Sequence, residues 1–312
     1  MTTIRSACLA AALSSICLLS SGVLAQDPEA APKAAAKPLR DIGQVVVYGE
    51  AILAAPLPGR VRGRVDVDKT LARVRACRAD TFAFAIGDGD FDWDDFQALA
   101  KGADVAGIKL WASFRLPQHG ANSRPFLGAF EKWAEEIAEL AATHASIAAV
   151  VLVELDYGRN PRFLHPPRTT ALRKTLNAAG VSLLGSIFDP EKAWITAYED
   201  ALDGVVLRWT KFNQILNLTG MLAGLEALCP AKWKRLVAFE TRPWGGSREP
   251  FDPLLLGACL NAASKRSDGV VVRQLDLAVP ATILPQRDGS GAHFTALETF
   301  TKRLEERKAK KG

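Results

Sequence analysis

The sequence predicts an α/β protein built as a single (β/α)8 barrel, the TIM-barrel architecture. Three observations predict it. Eight short runs rich in Val, Ile, Leu and Phe alternate with longer amphipathic segments, the pattern of a parallel sheet jacketed by helices. The alternating region, residues 41–306, has about the usual length of one such barrel. Glycine stands at several helix-to-strand junctions, Gly107, Gly180, Gly204 and Gly269, where a left-handed residue makes a tight turn. An open doubly wound sheet is the alternative, but no G-x-G-x-x-G follows an early strand, which disfavours a dinucleotide fold.

Taken in order, residues 1–25 carry Arg5 near the start and then an apolar run ending in Val-Leu-Ala before Gln26. That is the pattern of an export signal, so the mature chain is expected to be periplasmic or secreted. No later segment holds about 18 uninterrupted apolar residues, so no transmembrane span is expected once the signal is removed. Residues 26–40 are Ala, Pro and charge without a periodic apolar face; too little can be buried there to offset ordering, and they read as a spacer.

The strands follow as QVVVYG (44–49), DTFAFAI (80–86), GIKLWASF (107–114), IAAVVLVEL (147–155), VSLLGSIF (181–188), GVVLRW (204–209), RLVAFE (235–240) and GVVVRQL (269–275). Helices are predicted at 68–78, 92–105, 125–144, 167–179, 190–202, 213–228, 252–265 and 291–308. The clearest places Phe126, Phe130, Trp133, Ile137 and Leu140 at intervals of three and four on one face. The long stretch 50–68 between the first strand and helix either holds an extra hairpin or means that the barrel starts elsewhere. Residues 307–312 close the chain as a basic tail.

Composition excludes several functions. Without Arg5 the chain has 38 basic against 34 acidic side chains, and residues 302–312 hold six of the basic ones. The body is nearly neutral and lacks clustered Lys and Arg interleaved with aromatics, so nucleic acid is not an expected partner. Cys77, Cys229 and Cys259 are odd in number and widely spaced, and His119, His144, His165 and His293 form no ligand pair. Neither a disulfide framework nor a metal site is indicated, and no cofactor is expected. The acids of GDGDFDWDDF (87–96) fail the calcium-loop spacing and read as capping and dipole stabilisation of the next helix.

Sites on this fold lie at the carboxyl ends of the strands. Those ends carry Tyr48 and Glu50, Asp88 and Asp90, Arg115, Glu154 and Asp156, Asp189, Arg208 and Trp209, Glu240, and Arg273 and Gln274. Glu154 and Asp156 are two residues apart, so strand alternation predicts that they leave the same face while Leu155 turns to the helices. Two carboxylates in one confined space repel each other, and one becomes a proton donor while its neighbour stays ionised. Glu240 is expected to reach the same space from across the barrel.

Paired carboxyl groups are what glycoside hydrolysis uses, and Asp156, Glu154 and Glu240 are the catalytic candidates. Tyr48, Tyr157, Trp209 and Trp244 offer flat faces to sugar rings. Asp88, Arg115, Asp189, Arg208 and Gln274 complete the candidate binding set. The structural reading stands beside each: a lone acid such as Asp189 is more often solvated or paired, and Glu240 could pair locally with Arg242.

From Val65 to Trp209 the sequence resembles a largely uncharacterised family of bacterial exported proteins with glycoside-hydrolase-like (β/α)8 barrels. The resemblance rests on TLARVRACRADT (70–81), DWDDF (92–96), AGIKLWASFRLP (106–117), WAEEIA (133–138), and the fourth strand with its sequel RNPRFLHP (159–166). Such relatives often pair two Asp with an aromatic at the end of strand four. Asp156 and Tyr157 match the second acid and the aromatic, whereas Leu155 stands in the first acid's place. The resemblance implies a fold and a carbohydrate partner rather than a reaction. Three expectations follow: an exported glycoside-hydrolase-like enzyme acting on a poly- or oligosaccharide, a non-catalytic carbohydrate-binding barrel, or an envelope scaffold.

Overall fold

The computed structural model describes residues 37–310 apart from 57, 59–61, 88, 118–122, 210–214, 242–251 and 274–289. Eight parallel strands close in sequence order: β1 (Val45–Tyr48), β2 (Thr81–Ile86), β3 (Lys109–Arg115), β4 (Ile147–Val153), β5 (Ser182–Ile187), β6 (Gly204–Trp209), β7 (Lys234–Glu240) and β8 (Gly269–Arg273), which pairs back on β1. Around them run α1 (Val67–Ala76), α2 (Asp92–Ala106), α3 (Phe130–Thr143), the short α4 (Asn160–Phe163), α5 (Pro166–Ala178), α6 (Lys192–Tyr198), α7 (Ile215–Leu228), α8 (Pro253–Ala263) and α9 (Ser290–Ala309). The predicted single (β/α)8 barrel is the observed one.

Strand alternation sorts the apolar residues into two concentric cores. Val46, Ala83, Trp111, Val151, Leu184, Val206, Leu236 and Val271 fill the lumen, and their odd-step neighbours pack against the helices. Apart from a few small hydroxyl residues such as Ser113 and Ser186, the uncharged interior strand positions are apolar, which explains the near-continuous hydrophobic runs of the sequence. The helix predicted from residue 125 begins only at Phe130. Leu127 is left-handed (φ 52°), and a right-handed helix cannot run through such a residue. Phe126 still reaches the predicted face, its ring edge-on to Trp133 at 4.8 Å.

The glycine junctions divide into two kinds. Gly107 (φ 64°) and Gly180 (φ 78°) supply the left-handed turn. Gly204 and Gly269 instead open β6 and β8, where a Cβ would lie 2.3 Å from the Lys234 carbonyl oxygen and 2.9 Å from that of Gln44. Glycine is needed there for close approach of backbones, not for its φ.

The floor of the barrel is plugged by the incoming chain. Ile42 joins the lumen core, and its carbonyl accepts from Trp111 Nε1 at 2.9 Å. Arg40, at the end of the stretch read as spacer, donates to the carbonyls of Ala141 (2.6 Å), His144 (2.9 Å) and Ile147 (2.7 Å). At the other terminus α9 continues through Arg307, whose guanidinium holds Asn261 at 2.6 Å.

The barrel does start at β1, and in the stretch after it the described residues form an isolated antiparallel bridge, Leu53 to Val65. Arg62 and Arg64 of that stretch pair with Asp92 (3.1 Å) and Asp95 (2.6 Å) at the start of α2. Asp92 also accepts from the backbone N–H of Gly87 at 3.0 Å. Asp92, Asp94 and Asp95 stand in the first turn of α2, as dipole stabilisation expects, but the expected side-chain cap is not made: Phe91 occupies the N-cap position. Cys77, Cys229 and Cys259 are free, buried thiols. Burial pushes them up to about 12, 11 and 11 respectively, so they are inert at neutral pH.

Candidate functional site

Four side chains from four strand ends meet at the top of the lumen. Alternation continues from Val206 to Arg208, from Ala238 to Glu240, and from Val271 to Arg273, so β6, β7 and β8 each end in a charge directed inward. The fourth is Glu154, and strand geometry alone would not bring it there. On β4 the lumen-facing residues are Ala149, Val151 and Val153, so the next residue should point to the helices.

Glu154 escapes that rule because it is left-handed, φ 59°. The reversal turns its carboxylate inward and places Leu155 in the outer core, with the Leu155 N–H donating to the Ser186 carbonyl at 2.8 Å. Asn160, fully buried, donates from Nδ2 to the Glu154 carbonyl at 2.8 Å and holds the turn. A large side chain in this region costs about 1–2 kcal/mol, and such strain persists where surrounding contacts over-determine it. The predicted outcome for Leu155 is observed, but simple alternation is not its cause.

Arg208, 2% exposed, joins the two glutamates. Its Nη1 donates to Glu154 Oε1, its Nη2 to Glu240 Oε1, and its Nε to the same Glu240 oxygen at 3.1 Å. Arg273 Nε lies 3.7 Å from Glu240 Oε1. The cluster holds two acids and two arginines and is balanced in charge. Each guanidinium also lies over an aromatic ring, Arg208 on Phe188 at 4.4 Å and Arg273 on Tyr48 at 4.5 Å, a contact that covers the cations. Burial, and after it the neighbouring Arg273, lower the Arg208 guanidinium to about 10; it stays charged at neutral pH.

Asp156 sits apart from that cluster. Its Oδ2 accepts from the backbone N–H groups of Phe188 (2.7 Å) and Asp189 (3.1 Å) at the end of β5. Burial raises its pKa above the ordinary aspartate range, the two N–H bonds oppose the shift, and the charge of Asp189 adds to it. Its Oδ1 is covered and has no hydrogen-bond partner among the described residues. Tyr157 beside it is 44% exposed and meets Phe188 edge-on at 5.9 Å.

The structure therefore brings Glu154, Glu240, Arg208 and Tyr48 together. Asp156, Tyr157 and the exposed Asp189 stand on the adjoining rim. Among the described residues the cations of Glu240 come from β6 and β8; Arg242, its possible local partner, lies outside the described residues. Arg115 ends β3 exposed. Trp209 is corrected: it alternates with Arg208, lies 1% exposed in the outer core, and presents no face to a ligand at the mouth. Asp88, Trp244, Gln274 and His119 lie outside the described residues.

Two groups were not singled out from sequence, and a third, Arg273, was noted at its strand end but not placed in the candidate set. Arg273 shares the parity of Val271, a signal present in GVVVR. Phe188 covers Arg208 from a loop and has no sequence signature. Ser113 and Ser186 face the lumen one step above Trp111 and Leu184, and a polar residue in an apolar strand was the available clue.

The sequence matches no family model and no curated protein. Among solved structures, the chain is similar to an endo-β-N-acetylglucosaminidase from Cordyceps militaris, with TM-score 0.58 and 12% identity, covering 85% of this chain and 92% of that one. It is also similar to a GH113 β-1,4-mannanase, with TM-score 0.57 and 11% identity, covering 84% and 99%. An L-ribulose 3-epimerase gives TM-score 0.50 and 16% identity, covering 86% and 97%. At such identities the likeness is one of fold, and one fold hosts all three chemistries.

Proposed function

We propose that this barrel is a glycoside-hydrolase-like enzyme acting on a poly- or oligosaccharide, with Asp156 as its proton donor. The observation that carries the reading is the Asp156 carboxyl, which burial holds in its protonated form to higher pH than an ordinary aspartate. Across the mouth, Glu154 and Glu240 are each paired with the Arg208 guanidinium. Fixed carboxylates of this kind stabilise the positive charge that grows on a sugar ring as its glycosidic bond breaks. Tyr157 and Tyr48 give apolar faces on either side. Two of the fold neighbours, a glucosaminidase and a mannanase, act on glycans, which supports the substrate class.

A second reading rests on the same ion cluster. Arg208 neutralises both glutamates, and a barrel whose acids are already paired can bind sugar hydroxyls without cleaving a bond. A glycan panel with binding and product measured separately distinguishes the two. The enzyme reading expects product from at least one bound glycan and none from Asp156→Asn. Binding without product at any stage, in both proteins, sinks it in favour of the sugar-binding barrel.

Residues 1–25 are part of the proposal as an export signal. Intact mass of the processed chain is expected to correspond to a start at Gln26, and an unprocessed chain from exporting cells would overturn this.

A further inference from the structure

Below the ion cluster the lumen is not filled. A chamber of about 20 Å³ lies between Tyr48, Trp111, Ser113, Ser186, Val206 and Arg273, room for about one hydroxyl-sized group. Ser113 and Ser186 are each 1% exposed, and neither hydroxyl has a hydrogen-bond partner among the described residues. A buried hydroxyl without a partner is costly, and two facing one chamber mark it as a place for a polar group. The nearby indole N–H of Trp111 is already committed to the Ile42 carbonyl.

Among the described residues, the chamber is approached from one side. Charged or bulky residues stand at lumen positions of β1, β3, β4, β6, β7 and β8, with Arg115 at the exposed end of β3, whereas β2 presents Ala83 and Ala85. Ala85 pairs in register with Ser113 and is partly exposed, while Ala83 below it is buried. A ligand at the mouth can therefore reach the serines past β2.

Charge selects the group that enters. Arg273 already faces Glu240 at 3.7 Å, so an incoming carboxylate would meet that negative charge, whereas a neutral hydroxyl accepts from Arg273 and exchanges hydrogen bonds with the serines. Width selects its position on the sugar. A ring hydroxyl sits directly on a pyranose carbon and would need the ring itself in the lumen; an exocyclic hydroxymethyl extends one bond further and enters alone. We infer that the chamber takes the hydroxymethyl group of a hexopyranose, and so sets a preference for hexoses over the pentoses that lack it. This rests on the carbohydrate reading above.

The test uses matched pyranoside pairs that differ in that group: glucose with xylose, galactose with arabinose, mannose with lyxose. The full chain is expected to bind the hexose of at least one pair roughly tenfold or more tighter, the scale on which a filled pocket or a hydrogen-bonding site discriminates. The double variant Ser113→Ala and Ser186→Ala is expected to reduce that preference to about twofold while melting no lower than the parent, since it removes two unpartnered buried hydroxyls. Ser186→Val, which fills the space, is expected to weaken the hexose and spare the pentose. A preference that survives both variants overturns the assignment, as would equal binding of hexose and pentose by the parent, which would leave the chamber a water site only. If no member of any pair binds, the carbohydrate reading fails and takes this inference with it.

Discussion

Replacing Arg208 by Met is expected to cost about 3–5 kcal/mol of folding stability, the range seen when one partner of a buried ion pair is removed. The reason lies in what is left behind. Glu154 and Glu240 are 5% and 0% exposed, and without the guanidinium both carboxylates are charges in a place that water does not solvate. Arg273 at 3.7 Å from Glu240 compensates one of them in part. For a domain of this size the loss corresponds to roughly 10 °C in Tm.

Its pH dependence identifies the cause. Deprived of their cation, the two buried carboxylates destabilise the fold for as long as they carry charge, so the stability lost at neutral pH is expected to return as falling pH protonates them. The triple variant Arg208→Met, Glu154→Gln and Glu240→Gln removes all three charges and is expected to recover most of the loss. Thermal unfolding between about pH 4 and 8 covers the carboxylate range. A single variant within 1 kcal/mol of the parent at neutral pH would show that the cluster is not a dry ion network.

Asp156→Asn is expected to lower turnover by roughly 10²–10⁴-fold, the usual contribution of a positioned acid, with little change in glycan binding. The amide oxygen still accepts the N–H groups of Phe188 and Asp189, so the β5 loop keeps its place. In the parent, the rate should fall as pH rises through the raised pKa of Asp156, because the donor must hold its proton; the variant should lack that basic limb. Stability moves in the same sense. A carboxyl with its pKa raised by folding contributes stability below its unfolded value, lost as pH rises through the folded value. At neutral pH the variant should therefore unfold at equal or higher temperature than the parent. A basic limb unchanged in Asp156→Asn would remove Asp156 from the chemistry.

The barrel was readable in the sequence because each level agreed: apolar runs of strand length, amphipathic helices between them, and punctuating glycines. Gly204 and Gly269 show the limit even there. Their place was evident, but close backbone approach is a contact between residues 30 and more than 200 positions apart, which local turn chemistry does not reveal. At the candidate site, the placement of Arg208 and Glu240 at the mouth followed from their position at strand ends. What position could not supply was the left-handed Glu154, since a period-of-two argument assumes that the strand continues through it. Trp209 was misplaced for a related reason: where two polar-capable residues end a strand, one faces inward, and only the register with β7 decides which.

The Arg40 clamp has a practical corollary. It fastens the incoming chain where β4 and β5 begin, and α9 finishes on the same side, with Glu305 held by Arg78 at 2.6 Å and Thr301 by the Cys77 carbonyl at 3.1 Å. An affinity handle, fluorescent fusion or solid support attached behind α9 would thus leave the opposite pole unobstructed. Long polymers could be presented to such an immobilised sample without steric interference from the attachment.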